Sequence, residues 1–312
     1  MACALLPTTS FAAETWPERP IKWIVPFLAG TSPDTTARVL AEGVSPILGQ
    51  PVIIDNRAGA AGNIGARIAA KAPPDGYTWV YSSAPMAANM RMYKVPGYDA
   101  MKDFRHIMRT TSADVALIVN AASGINSLDE LIARAKAQPG KLDYSSGGVG
   151  TPSHMGVELM LSSAHVRATH VPYKGASELV NAVLGNQVTF GMPILSVAHP
   201  QIVSGNLKAL AIAGSARNAQ LPNVPTFAEL GLSGIELTSW GGISVPAGTP
   251  DAIVARIQSA FEQALKQPSV RTGLINAGGQ ITPLPPEAYS RGFLDEMALT
   301  EAMMKRAGLS AQ

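Results

Sequence analysis

Hydrophobic and polar positions alternate along the chain with two periods. Ile21-Lys-Trp-Ile-Val-Pro-Phe27 is a short apolar run bounded by prolines, the pattern of a strand. From Pro33 to Leu48, apolar residues recur at Ala37, Leu40, Ala41, Val44 and Leu48, one face of an amphipathic helix that Gly49 ends. Residues 51–54 read as a second strand, 55–62 as a glycine-rich turn, 63–71 as a helix and 76–82 as a third strand. This βαβαβ order predicts a parallel sheet with crossover helices. The alternation resumes with strands at 116–120, 141–145, 169–171, 188–191 and 208–213, separated by helices at 127–138, 153–163, 176–184 and 197–204. Ser127 followed by Glu130 is a capping box. Amphipathic helices at 250–267 and 286–307 close the chain.

Two α/β lobes follow from this order. Lobe 1 comprises residues 14–115 and 241–312, and lobe 2 residues 116–240, so the chain crosses between them near 115 and 240. A cleft between two such lobes is a favoured ligand site. The length of 312 residues fits two domains at roughly 150 residues each.

Composition narrows the function. Charged residues make up 15% of the chain, against about 25% in an average soluble protein, and the formal net charge is +2. That balance provides no strong field for nucleic acid or an anionic membrane. The single cysteine, Cys3, excludes an intramolecular disulfide and a cysteine-based zinc site. Residues 1–13 end in Ser10-Phe-Ala-Ala13 and read as a partial export signal without a basic start. The expected location is the periplasm, with a mature protein that carries no thiol.

Catalytic signatures are missing from the sequence. There is no Gly-x-Ser-x-Gly elbow, Walker A loop or His-Glu-x-x-His, and the histidines at 106, 154, 165, 170 and 199 lack metal-ligand spacing. Gly59, Gly62 and Gly65 are spaced as turn and packing glycines, not as a dinucleotide fingerprint. Nothing calls for a cofactor or a metal. Ser153 and His154 are the one candidate nucleophile–base pair, and adjacent helical residues point about 100° apart, which is poor geometry.

What the sequence does offer is a set of hydroxyl- and glycine-rich loops at strand-to-helix junctions. Tyr144-Ser-Ser-Gly-Gly-Val-Gly-Thr-Pro-Ser153 combines free amides at a helix start with the hydroxyls of Ser145, Ser146, Thr151 and Ser153, a neutral anion trap. Gly30-Thr-Ser-Pro-Asp34 and Ser82-Ser-Ala-Pro85 are comparable loops in lobe 1. Arg57, Arg67, Arg91 and Lys174 lie near these loops but do not cluster at one of them, and each reads as a solvated surface charge.

These motifs together resemble one family. Trp16-Pro-x-Arg-Pro-Ile21, Val25-Pro-Phe27 with Gly30 and Asp34, Asp55-Asn-Arg-x-Gly-Ala-x-Gly-x-x-Gly65, Pro74-Asp-Gly-Tyr77, Tyr144 through His154, Val171-Pro-Tyr-Lys-Gly175, Leu221-Pro-x-Val-Pro-Thr226 and Val245-Pro-Ala-Gly-Thr-Pro250 match the Bug-type extracytoplasmic solute receptors of tripartite tricarboxylate transporters over residues 16–310. The resemblance implies a bilobed type II periplasmic binding protein fold, a small carboxylate held by amides, hydroxyls and water, two membrane partners and no catalysis; the chain is expected to act as a monomer. Carried onto this sequence, it implies ligand contacts at Phe27, Gly30, Thr31, Ser32, Asp34, Ser82, Ser83, Ser145, Ser146, Gly147, Gly150, Thr151, Ser153, Lys174 and Gly175.

Three departures from the family pattern sharpen the expected ligand. Thr31 stands where members usually have a second glycine, and Met192-Pro193 and Ala182 replace two common aspartates. An ammonium-bearing ligand would want such a carboxylate. The expectation is therefore a dicarboxylate with an aliphatic or aromatic spacer, terephthalate for example, lined by Met192, Pro193 and Trp240. An enzyme of the same fold, or the sensing half of a regulator, is the alternative; no DNA-binding helix pair or coiled coil accompanies the lobes.

Overall fold

In the computed structural model, which describes residues 16–307, 310 and 311, the first apolar run forms β1 (Ile21–Val25) and the amphipathic segment after it α1 (Ser32–Leu48). The segment read as an export signal, with Cys3, lies outside the described residues. The chain continues through β2 (Val52–Asn56), α2 (Asn63–Ala70), β3 (Thr78–Ser83), α3 (Ala84–Met92) and β4 (Phe104–Asp114). It then enters β5 (Ala116–Asn120), α4 (Leu128–Ala137), β6 (Asp143–Ser146), α5 (Pro152–Ala164), β7 (Thr169–Pro172), α6 (Ala176–Leu184), β8 (Phe190–Gly191), α7 (Leu195–Val203) and β9 (Leu207–Ile212). It returns through β10 (Thr238–Pro246), α8 (Asp251–Ala264), α9 (Pro268–Asn276), β11 (Gln280–Leu284) and α10 (Pro286–Ala307).

Two sheets organise two lobes. One has the order β11-β4-β10-β3-β1-β2 and the other β7-β6-β8-β5-β9. The parallel sheet expected from the βαβαβ pattern is correct only for β3-β1-β2; β10 and β4 pair antiparallel and make the sheet mixed. The second sheet is also mixed, with β5 antiparallel to both β8 and β9. The expected helix at 250–267 is α8, which ends at Ala264, and a further helix that the pattern did not indicate, α9, starts at Pro268. Proline at N1 starts a new helix readily, because its missing N–H has no intrahelical partner there. The capping box at Ser127 is half as expected. Its Oγ accepts from Glu130 N (3.1 Å), but the Glu130 carboxylate reaches past Ser127 to accept from Asn126 N.

Each lobe has an apolar interior, and Met92 of α3 with Met303 and Met304 of α10 packs onto that of the second lobe. Trp23, Trp79 and Phe261 form an aromatic cluster between the first sheet and α8, with the Trp23 and Phe261 rings 5.4 Å apart and edge-on. Val119, Leu128, Tyr144, Met160 and Phe190 anchor the second lobe. Val115 is the one residue between β4 and β5, where the chain leaves the first sheet for the second. Beside it, the buried Asp114 carboxylate accepts from Asn218 Nδ2 (2.7 Å) and Gln280 Nε2 (2.8 Å), which ties the crossing to both lobes.

A second, partly buried carboxylate lies on α10. Trp240 Nε1 donates to Glu296 Oε2 (3.0 Å), and burial raises the Glu296 carboxyl to a pKa of about 7 against the Trp240 hydrogen bond that lowers it. A carboxyl whose folded-state pKa is raised contributes stability that is full below its unfolded value and is lost as pH rises through the folded value. Wild-type stability is therefore expected to decline by roughly 3 kcal/mol between pH 4.5 and 7.5 through this residue. Glu296→Gln should flatten that decline, leaving the variant the more stable protein at pH 8. Thermal melts of both proteins across this range check it, and parallel pH profiles would contradict the assignment.

Candidate functional site

Three helices of the two lobes begin with the same local chemistry. α1 follows Thr31 as N-cap with Pro33 in its first turn, α3 follows Ser83 with Pro85, and α5 follows Thr151 with Pro152. α4 also has a hydroxyl N-cap, Ser127, and uses it to cap its own helix. The other three hydroxyls make no cap bond. Thr31 Oγ1 donates to Leu28 O (2.7 Å) and Thr151 Oγ1 to Gly148 O (2.7 Å). Ser83 Oγ has no hydrogen-bond partner among the described residues, although Ser83 is only 3% exposed. The first-turn amides of these helices have no intrahelical acceptor, so each helix start presents positive potential.

The lobe 2 loop is held from inside. Gly147 N donates to Ser153 Oγ (2.9 Å), Gly148 N to Ser146 Oγ (3.1 Å) and Gly150 N to His154 Nδ1 (3.4 Å). Gly148 and Gly150 have φ of +120° and +82°, backbone that favours glycine. Ser153 Oγ lies 2.8 Å from Thr151 Oγ1 and does not pair with His154, so the candidate nucleophile–base pair does not form. The amides of Ser153 and His154 in the first turn of α5 have no acceptor within the helix. The start of α6 is adjacent: a Cβ on Gly147 would lie 3.4 Å from Gly175 C. Lys174 is exposed, and its backbone N–H donates to Glu178 Oε2 (3.0 Å). Across from this loop is Met92 at the end of α3; a Cβ on Gly150 would come within 2.4 Å of its Sδ.

In lobe 1 the residues expected at the site divide into rim and scaffold. Phe27 is half-buried with its ring edge-on to Tyr81 (6.4 Å), and Gly30, Thr31 and Ser32 form the turn into α1. Asp34 is 2% exposed and fully engaged: it accepts from Gly30 N (2.9 Å), Arg38 Nε (3.0 Å) and Asn56 Nδ2 (2.9 Å). Burial alone would raise its pKa, but the Arg38, Gly30 and Asn56 hydrogen bonds outweigh it and hold the carboxyl below its ordinary value. Its place is beneath the turn, bracing it. Ser82 and Ser83 are the end of β3, not a loop, and their side chains point to opposite faces. Ser82 Oγ lies 2.8 Å from Tyr289 Oη and accepts from Ser244 Oγ (2.7 Å), which lies 2.8 Å from His106 Nδ1. This buried chain occupies Ser82 inside lobe 1.

Ser145 and Met192 are also interior. Ser145 Oγ donates to Leu179 O (3.3 Å). Met192 is fully buried, with its Sδ 2.4 Å from where a Cβ on Gly156 would stand, in the core of lobe 2. A cavity of about 20 Å³, room for one water, lies where the lobes meet, lined by Ser32, Pro33, Tyr81, Thr111, Ile194 and Trp240 among others. Tyr81, Thr111 and Ile194 were not expected near a site. Tyr81 is legible afterwards as the residue two before Ser83, on the same face of β3. The basic residues near the loops are engaged at the surface, Arg57 with Asp55 (2.8 Å) and Arg91 with Glu301 (2.9 Å). Among the described residues, no group of three or more His, Cys, Asp or Glu could hold a metal ion, and no helix is long and apolar enough to cross a membrane.

Two lobes, hydroxyl-bearing helix starts at strand ends and an inter-lobe cavity are the features of a binding protein, and comparison with known proteins supplies the family. The family model described as "Tripartite tricarboxylate transporter family receptor" matches residues 36–309. The chain belongs to this family. The receptor is 34% identical to BugT of Bordetella pertussis (strain Tohama I) over 300 residues, which covers 95% of this chain and 92% of BugT. Its fold matches that of an R. palustris protein solved with adipate, with a TM-score of 0.88 and 31% identity, covering 95% of this chain and all of the other. It also matches MatC from Rhodopseudomonas palustris with bound malate, at a TM-score of 0.84 and 29% identity, covering 92% of this chain and 99% of the other. The receptor is thus a solute-binding protein of the Bug type with the bilobed periplasmic binding protein fold. The family and these neighbours are binding proteins, not enzymes.

Proposed function

We propose that the receptor captures a dicarboxylate with an apolar spacer between its lobes and delivers it, in the periplasm, to the membrane components of a tripartite tricarboxylate transporter. The observation that carries this reading is Ser83: a buried hydroxyl without a partner, at the N-cap of α3, stands beside backbone donors that carry no formal charge. A buried hydroxyl left unbonded costs about 1–3 kcal/mol, and a carboxylate oxygen arriving from the cleft relieves that cost. Thr31, Ser32 and the starts of α5 and α6 complete a set of donors and hydroxyls at both lobes, and the buried carboxylates Asp34 and Asp114 already have their partners. An ammonium group would find no free carboxylate there, which favours a diacid over an amino acid.

The spacer is held by other residues than Met192, whose side chain packs against Gly156 in the core of lobe 2. Phe27, the 54% exposed Leu28 and the partly buried Val149 are the apolar side chains on the loops themselves. The two lobes move as two bodies about the crossings at 115 and 240 and close on the ligand. The receptor acts as a monomer, without catalysis. Two neighbours of similar fold are solved with adipate and with malate, which supports the carboxylate class.

Calorimetric titration at pH 7 with aliphatic diacids, aromatic diacids and amino acids tests the reading. Saturable binding of at least one diacid, and none of its monoamide, is the expected outcome. Binding of an amino acid with no diacid bound would overturn it.

A further inference from the structure

The lobe 2 loop stands on a stack of rings that no role described so far explains. His154, in the first turn of α5, faces His170 of β7 with ring centroids 4.3 Å apart, and His170 in turn stacks on Tyr144 of β6 at 4.8 Å. Tyr144 stacks on Phe190 of β8. The stack meets the loop at two atoms. His170 Nε2 lies 2.6 Å from Ser146 Oγ, which receives the Gly148 N–H, and His154 Nδ1 receives the Gly150 N–H. Both glycines have positive φ, so the path of the loop depends on these bonds more than on local preference.

We propose that His154 and His170 are positioning residues of the receptor: their stacked neutral rings fix Ser146, Gly148 and Gly150, and through them the first turn of α5 where an anion is received. This inference rests on the binding function proposed above. His154 Nδ1 can accept the Gly150 N–H only without a proton of its own, and two imidazolium rings 4.3 Å apart would repel each other. Burial favours the neutral form of both. It lowers His154, helped by the charge of His170, to a pKa of about 4, and it lowers His170 below its ordinary value.

The titratable groups around the pair are few. Tyr144 of β6 donates to Glu158 of α5, and Asp143 at the other end of β6 accepts from Thr189. On α10, which packs against α5, Glu301 is paired with Arg91 of α3, and Lys305 lies beside them. Lys174 follows β7 and is exposed. Among the described residues, no carboxylate stands in hydrogen-bond contact with either imidazole to compensate a proton placed on them.

The test separates geometry from charge. Asparagine at 154 keeps an acceptor near Nδ1, and glutamine at 170 keeps a polar atom near Nε2, but neither takes a proton. In the ligand-free protein, the backbone amide resonances of Gly148 and Gly150 are followed by NMR from pH 7 to pH 4. In the wild type they are expected to move in step with the two histidine titrations; in the H154N/H170Q double variant that step disappears. Adipate affinity at pH 7 is expected to fall at least tenfold in His170→Leu and less than threefold in the double variant. The ratio of wild-type to double-variant affinity should drop several-fold by pH 4, with adipate's own protonation cancelling in the ratio. Glycine amides that ignore the histidine titration, or an acid step that persists in the double variant, would overturn the proposal. If adipate does not bind the wild type at pH 7, the binding reading loses its support for this diacid, while the amide shifts still decide the positioning role.

Discussion

Gly242→Ala is expected to destabilise the receptor by about 3 kcal/mol or more, the upper range for overpacking a rigid site. Gly242 lies in β10, in the middle of the first sheet, where β3 and β4 flank it on either side. A methyl group there would stand 2.1 Å from Met108 O and 2.8 Å from Arg109 Cα, both backbone atoms of β4. Neither can swing aside as a side-chain tip would, so β10 must separate from β4 or the sheet must distort. The register between the two strands already shifts at Gly241/Gly242, which shows how the chain accommodates this approach. Gly292→Ala is the matched control. A Cβ at 292 in α10 meets nothing within 4 Å, and alanine in place of glycine within a helix stabilises by about 0.5–1 kcal/mol. Thermal melts should place the first variant roughly 5–10 °C below wild type and the second at or slightly above it. Equal melting temperatures for G242A and wild type would mean that β10 and β4 are not packed as described.

The second large effect separates function from stability. Ser83→Ala is expected to leave the free receptor as stable as wild type, or about 1 kcal/mol more stable, because it removes a buried hydroxyl that has no partner among the described residues. The same change should weaken binding of a diacid by roughly 10- to 100-fold, the weight of one hydrogen bond to a charged group. Ser82→Ala, one residue away, should do the reverse. Its hydroxyl is bound to Tyr289 and Ser244 inside lobe 1, so its loss costs about 1–3 kcal/mol of stability and little affinity. Calorimetry of ligand binding and melts of the free proteins read both effects. A Ser83→Ala protein that binds as wild type does would remove the hydroxyl from the site.

The contrast between these serines shows where sequence reading stops. Both stand in one hydroxyl-rich run, Ser82-Ser-Ala-Pro85, and composition cannot tell them apart. The end of β3 does, because successive strand residues point to opposite faces. The same holds for Asp34 and Thr31, three residues apart along one turn: the carboxylate is bound beneath it and the threonine is only partly buried. Met192 was expected beside the ligand because it replaces a polar residue. It is interior because Gly156 on α5 leaves room for its sulfur, a long-range fit that no local pattern records.

Elements with clear periodicity were read closely from sequence. β5 and α6 have the expected bounds, and α1 begins one residue before the expected start. α3, β4, β10, β11 and α9 were not read as elements. β4 carries Arg105, His106, Arg109 and Thr110, too polar for a strand by pattern, but it sits between β10 and β11. Its polar groups are bound from distant segments: Arg109 to Thr282 O, Thr110 to Gly241 O and His106 to Ser244. α3 is buried on most of its surface, so it has no polar face to set its period.

By itself the sequence determined the alternation of strands and helices, the two α/β lobes, and the hydroxyl and glycine loops that begin α1 and α5, because those rest on short-range periodicity and turn chemistry. The tertiary structure decided the mixed pairing of both sheets, which of the loop hydroxyls are bound in the interior and which one is left without a partner, and the ring stack beneath the lobe 2 loop. Those outcomes depend on residues tens to hundreds of positions apart, Ser82 with Tyr289 or Ser146 with His170, whose meeting is fixed only when the sheets are assembled.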